Sequence, residues 1–116
     1  NAATIKKLYN DTDYMIDTHT GVAATVYDKY REETKDRAKT VIASTASPYK
    51  FSRSVMDAVF GDQSGQDEFA LIDELSRASG VPVPKAVEEI RNAKVLHTKE
   101  CDVDQMEDTV AGILGL

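Results

Sequence analysis

The chain has 116 residues, with 14 Lys and Arg against 20 Asp and Glu, a net charge of −6. That length allows one domain, and a net-negative surface repels phosphate backbones, which argues against a nucleic-acid partner. A hydrophobic content of 41% is too high for a disordered acidic tail, and one cysteine excludes an internal disulfide.

Asn1-Ala2-Ala3 reads as a cloning or cleavage scar, so residues 1–3 are set aside and the domain is taken as 4–116. Ile5, Leu8 and Tyr9 lie at offsets 0, 3 and 4, one face of a helix over Thr4–Asn10. Tyr14-Met15-Ile16 is a short apolar run, and Asp17 can cap a second helix by accepting its free N–H groups. Val22, Ala23, Val26, Tyr27 and Tyr30 give that helix a stripe expected to face the core. The dense charges from Asp28 to Lys39 read as a solvated face.

Thr40-Val41-Ile42-Ala43 is short and β-branched, and it predicts a strand. Ser47-Pro48 predicts a helix start, with Ser47 as cap and proline where a missing N–H costs nothing. Phe51, Val55 and Val59 share the inner face of this helix, and Gly61 ends it. Phe69, Leu71, Ile72, Leu75 and Ala78 predict a further helix stopping at Gly80. Val81-Pro82-Val83-Pro84 is an extended linker, because each proline pushes its predecessor out of the helical region. A short helix over Lys85–Arg91 and a weak strand at Val95-Leu96-His97 follow. Asp102, with Gln105 three residues on, predicts a capping box for a last helix carrying Val103, Met106, Val110, Ile113 and Leu114 on one face.

The fold class expected is α/β, predominantly helical, with one or two short strands. A single strand makes no stable sheet. Either the helices carry the fold, or the remaining strands belong to residues outside this sequence.

Two clusters can carry chemistry. Asp17-Thr18-His19-Thr20 puts a carboxylate, an imidazole and hydroxyls at a helix N-terminus, whose free N–H groups suit an anion; a plain capped helix is the alternative. Ser44-Thr45-Ala46-Ser47 joins the expected strand to a helix, where hydroxyls of α/β proteins reach a ligand crevice. Local capping explains these hydroxyls equally well. His19 and His97 are the only histidines, and nothing near either in sequence completes a zinc site. Cys101 receives no catalytic role. There is no glycine-rich phosphate loop and no nucleophile elbow, and no run approaches the ~20 apolar residues that span a bilayer.

The stretch Tyr14 to Ala23 resembles the D-P-H-T-A-V-A motif of bacterial threonine synthases, and Ser44-Thr45-Ala46-Ser47-Pro48-Tyr49-Lys50-Phe51 resembles their S-T-A-H-P-x-K-F stretch. The G-V-P-V-P-K run at Gly80–Lys85 and the acidic closing helix are also similar, in the same order. Thr18 stands where the motif has proline, Gly21 for its alanine and Ser47 for its histidine. A role of that histidine side chain therefore does not carry over.

The resemblance implies the C-terminal portion of a fold-type II pyridoxal-phosphate enzyme that converts O-phosphohomoserine and water to threonine and phosphate in the cytoplasm. It implies that Thr45 hydrogen-bonds the cofactor's pyridine nitrogen, with Ser44 as a second candidate. It places Asp17, His19, Thr20 and Lys50 near the active site, although lysine's rarity in protein interiors favours solvent for Lys50. The family's S-F-K-D lysine motif and phosphate loop are not among these 116 residues. The chain alone is accordingly expected to be inactive and to hold no cofactor or metal. Its expected partner is the N-terminal part of the same polypeptide. A reading of another class, a non-catalytic acidic helical interaction module, stays open. Upstream S-F-K-D and G-N-F-type motifs in the parent reading frame would decide between them.

Overall fold

Six helices and two 3-10 turns follow one another along residues 1–116, all described by the computed structural model. They are α1 (Ala2–Thr12), α2 (Thr18–Thr34), a 3-10 turn (Pro48–Phe51), α3 (Ser52–Phe60), α4 (Glu68–Ser79), α5 (Lys85–Arg91), a second turn (Val103–Gln105) and α6 (Met106–Leu114). Ala2 and Ala3 lie inside α1, and the Asn1 amide donates to the Thr18 carbonyl at 3.1 Å.

The core forms where α1, α3 and α4 meet. Ile5 enters it from α1, Val55, Met56 and Val59 from α3, and Leu71, Ile72 and Leu75 from α4. Their spacing of three and four residues gives each helix one apolar stripe, and three stripes close on one another. Met15 and Ile16, in the α1–α2 connection, and Tyr49, in the first 3-10 turn, complete it. The ends of these helices follow the sequence closely. Ser47 accepts from the Tyr49 N–H at 3.3 Å, and Asp67 caps α4 through Phe69 and Ala70. Gly80 ends α4 at φ 67°, a left-handed conformation open to glycine at no steric cost. Arg53 pins the loop between α3 and α4, reaching Glu68 at 2.6 Å and the Gln63 and Gln66 carbonyls at 2.8 Å.

After α4 the chain stays extended through Val81–Pro84, as the prolines dictate. Tyr49 and Ser76 both donate to the Val81 carbonyl and hold this linker down. Arg91 then fastens α5 to α4, contacting Asp73 at 2.6 and 3.0 Å while lying over the Phe69 ring.

Two expectations fail here. Neither Thr40–Ala43 nor Val95–His97 forms a strand, so the fold is helical without a sheet. A strand is stabilised by the neighbour it pairs with, and neither of these segments makes a backbone–backbone hydrogen bond. Val41 is 94% exposed. The stripe of α2 is the second correction. Val22, Val26 and Tyr30 face outward, and α2 turns Thr20, Gly21 and Ala24 inward instead. The cause is the close approach of α1. A Cβ on Gly21 would lie 2.9 Å from Ile5 Cγ1, so only glycine lets the helices meet there without a shift. The contact is tightened by Thr4 and Thr25, whose hydroxyls lie 2.7 Å apart.

The Asp28–Lys39 charges are solvated throughout. Residues 92–116 bury nothing: the Asp102–Gln105 cap forms, with the Asp102 N–H 3.4 Å from Gln105 Oε1, but the apolar face of α6 is open. The accessible surface is 8706 Å², against roughly 6200 Å² for a folded monomer of this mass. The radius of gyration is 18.6 Å, against roughly 13 Å for a compact domain of this length.

Candidate functional site

Asp17 sits just before α2 with extended backbone, φ −74° and ψ 169°, the geometry that points a capping side chain back over the first turn. Its carboxylate accepts from the His19 N–H at 2.8 Å and the Thr20 N–H at 3.4 Å. The Thr20 hydroxyl donates to the other carboxylate oxygen, and His19 Nδ1 lies 3.2 Å from the first. An ionised carboxylate only accepts, so Nδ1 carries the hydrogen in this contact.

Asp17 is completely buried. Burial by itself pushes its carboxyl upward, but the bonds from the Thr20 hydroxyl, the His19 and Thr20 N–H groups and the His19 ring outweigh it. The net result is an acid held below the ordinary carboxylate value, ionised at neutral pH.

The Ser44 hydroxyl completes the cluster, 2.9 Å from Thr20 Oγ1 and 3.4 Å from Asp17 Oδ2. Thr20 gives its one hydroxyl hydrogen to Asp17, so Ser44 shares its own single hydrogen between Thr20 Oγ1 and Asp17 Oδ2. The two motifs, 24 residues apart at Thr20 and Ser44, therefore close into one hydrogen-bonded site.

The structure brings together Asp17, His19, Thr20 and Ser44. Thr45, next in the chain, is exposed, and its hydroxyl has no hydrogen-bond partner within the protein. Lys50 is also exposed, with its ammonium 5.6 Å from the centre of the Phe51 ring. The His19 ring packs on the same phenylalanine, centroids 4.9 Å apart. Phe51 is thus shared by His19 and Lys50, a role its helical spacing did not show. Ser47, where the motif has histidine, is occupied as the cap of the turn.

One feature was illegible in the sequence. A cleft of about 180 Å³ is lined by Tyr14, Met15, Tyr49, Leu75, Ser79 and Pro84, among others. It draws on four separate segments, and no local pattern signals such a convergence. Elsewhere, no group of three or more His, Cys, Asp or Glu is placed to hold a metal ion. No helix is long and apolar enough to cross a membrane.

Residues 20–110 match the family described as threonine synthase, C-terminal. The chain belongs to that family. A mouse (Mus musculus) protein, threonine synthase-like 1, is 29% identical over 109 residues, which cover 90% of this chain. The chain spans only 14% of that relative's length. The family match takes in Thr20, Ser44, Thr45 and Lys50, whereas Asp17 and His19 lie just before it. The carboxylate that organises the cluster therefore stands outside the matched stretch of this threonine synthase C-terminal region.

Proposed function

We propose that the chain is the C-terminal part of a pyridoxal-phosphate lyase that converts O-phosphohomoserine and water to threonine and phosphate. The observation that carries this reading is the free Thr45 hydroxyl, exposed beside a hydrogen-bonded cluster built on the buried Asp17 and Thr20 in a chain of this family. An exposed hydroxyl bonds water, and a ligand atom can take that water's place. The residues fit the cofactor to this extent, because a pyridine nitrogen needs one donor and Thr45 has one to give. When bound, the cofactor supplies an electron sink for the substrate's α-carbon. A neutral hydroxyl does not hold the ring nitrogen protonated, so Thr45 would set a weaker sink than a carboxylate would. Lys50, exposed above Phe51, is available to an anionic group such as the substrate's phosphate.

The isolated chain is proposed to be inactive and to bind no cofactor saturably. Every lysine in it is exposed, and activation of an amine for covalent work takes burial or a neighbouring cation. The missing lysine would come from the upstream part of the same polypeptide, in the cytoplasm. That partner would also cover the roughly 2500 Å² of surface in excess of a folded monomer of this mass. The open α6 face supports a second reading, a helical module that docks on another protein.

The test is kinetic, in the full-length parent. Thr45→Val keeps the shape but removes the donor, at a cost of about 1–3 kcal/mol. Felt in the transition state, that is on the order of tenfold to a hundredfold in kcat. Thr45→Ser should retain much of the rate, while Thr45→Asp should bind cofactor and suppress turnover. Melting temperatures of the three variants should match the parent. Full activity in Thr45→Val would remove the assignment, and a parent reading frame without S-F-K-D and G-N-F-type motifs would favour the docking module.

A further inference from the structure

We propose that Asp17 is a positioning residue for Thr45, acting through Ser44; this rests on the reading of Thr45 given above. Little holds the Thr45 segment in place. From Asp36 to Ala46 no backbone group bonds another backbone group. Ala38 N–H bonds the Asp36 side chain and the Thr40 hydroxyl bonds the Ala38 carbonyl, both local contacts. Between Ala38 and Ala46, only Ser44 makes hydrogen bonds that reach another element, and both go to the Asp17–Thr20 pair. Ile42 rests in the groove between α1 and α2, but an apolar contact fixes no direction.

Asp17 is well suited to be the fixed end. Its carboxylate is buried and is itself locked by two N–H groups of the first turn of α2. The helix therefore sets the carboxylate, the carboxylate and Thr20 set Ser44, and Thr45 follows one Cα step, ~3.8 Å, further on. One hydroxyl is held inward and the next is left free at the surface. Cutting the tether should let the segment move and carry Thr45 off its mark, and misplacement by ~1 Å is enough to slow a reaction about a hundredfold.

The first arm of the test needs no cofactor. Backbone amide order parameters are measured by NMR relaxation on the 116-residue chain. Ser44→Ala and Asp17→Ala should both lower the order of residues 43–45 and leave α3 and α4 unchanged. Asp17→Asn, whose oxygen still caps the helix and whose amide can donate to the Ser44 hydroxyl, should restore most of it. Ser44 is exposed, so Ser44→Ala keeps the test open if Asp17→Ala fails to fold. Unchanged order at 43–45 in Ser44→Ala would overturn the positioning role.

The second arm uses the full-length parent. Asp17→Ala and Ser44→Ala should each lower kcat tenfold or more with little change in KM, and the double variant should be no worse than either. Adding Thr45→Val to Asp17→Ala should cost less than Thr45→Val costs alone. If Thr45→Val slows the parent while a folded Asp17→Ala variant keeps full kcat, the positioning role is overturned and the Thr45 assignment survives. If Thr45→Val is fully active, the Thr45 assignment falls, and with it the claim that the tether serves catalysis.

Discussion

Leu75 and Leu96 are the same residue in two different situations. Leu75, on α4, is wholly buried in the core, while Leu96 is 75% exposed. Val55 and Val41 repeat the contrast, one enclosed and the other in open solvent. The apolar face of α6 is about as strongly patterned as that of α4. What differs is that α1, α3 and α4 present stripes to one another, whereas the other segments have no counterpart among these residues. An apolar face gains free energy only when another surface displaces its water. The molecule thus divides into a packed helical core and a set of apolar surfaces left open to solvent.

That division is sharpest in the energetics of truncation. Leu75→Ala should cost about 2–5 kcal/mol in denaturant unfolding of the chain, since it removes packed atoms and leaves a cavity. A loss under about 0.5 kcal/mol would place Leu75 with the surface residues.

Asp17 ties the core to the unpaired segment, so its charge should matter to both. Asp17→Asn should lower stability at pH 7 by about 1.5–3 kcal/mol, the worth of hydrogen bonds to a charged group. Its folded pKa lies below the ordinary carboxylate value, held there by the bonds from Thr20 and His19, so the unfolded chain takes up the proton first. The contribution is therefore complete above that value and disappears as pH falls through the lower folded one. Stability measured from pH 7 down to pH 2 should show the two proteins converging. Parallel curves would mean that the charge is not what the cluster uses.

Gly21→Ala tests how closely α1 is bound. Alanine is the better helix former by about 1 kcal/mol, but its Cβ would press on Ile5, and overpacking costs about 1–3 kcal/mol. The net should be a loss of about 1 kcal/mol in the same unfolding measurement. A gain would show that α1 moves aside freely and belongs with the loosely held parts.

The smallest effect is expected at the other end of the contrast. Ile113→Ala should change the stability of the isolated chain by less than about 0.5 kcal/mol. In the full-length parent it should cost several times more. Equal small effects in both would mean that α6 stays uncovered there.

The sequence by itself determined whatever depends on neighbours along the chain. Asp17, Ser47 and Asp102 began helical segments, Gly61 and Gly80 ended them, and the prolines of Val81–Pro84 held the linker open. These outcomes follow from backbone groups within a few residues of one another, where side-chain chemistry decides alone. The motifs around Asp17 and Ser44 were legible in the same way, as residue types in a recognisable order. Tertiary structure decided the rest. Periodicity shows that α2 has an apolar stripe, but the approach of Ile5 to Gly21 chose which face turned inward. A β-branched run shows a segment able to be a strand, but only a partner makes it one. The closing of Ser44 onto Asp17 joins residues far apart in the chain, and no spacing rule carries that distance. Capping and turn energies are local, whereas burial and pairing are properties of two surfaces, and a single sequence specifies only one of them.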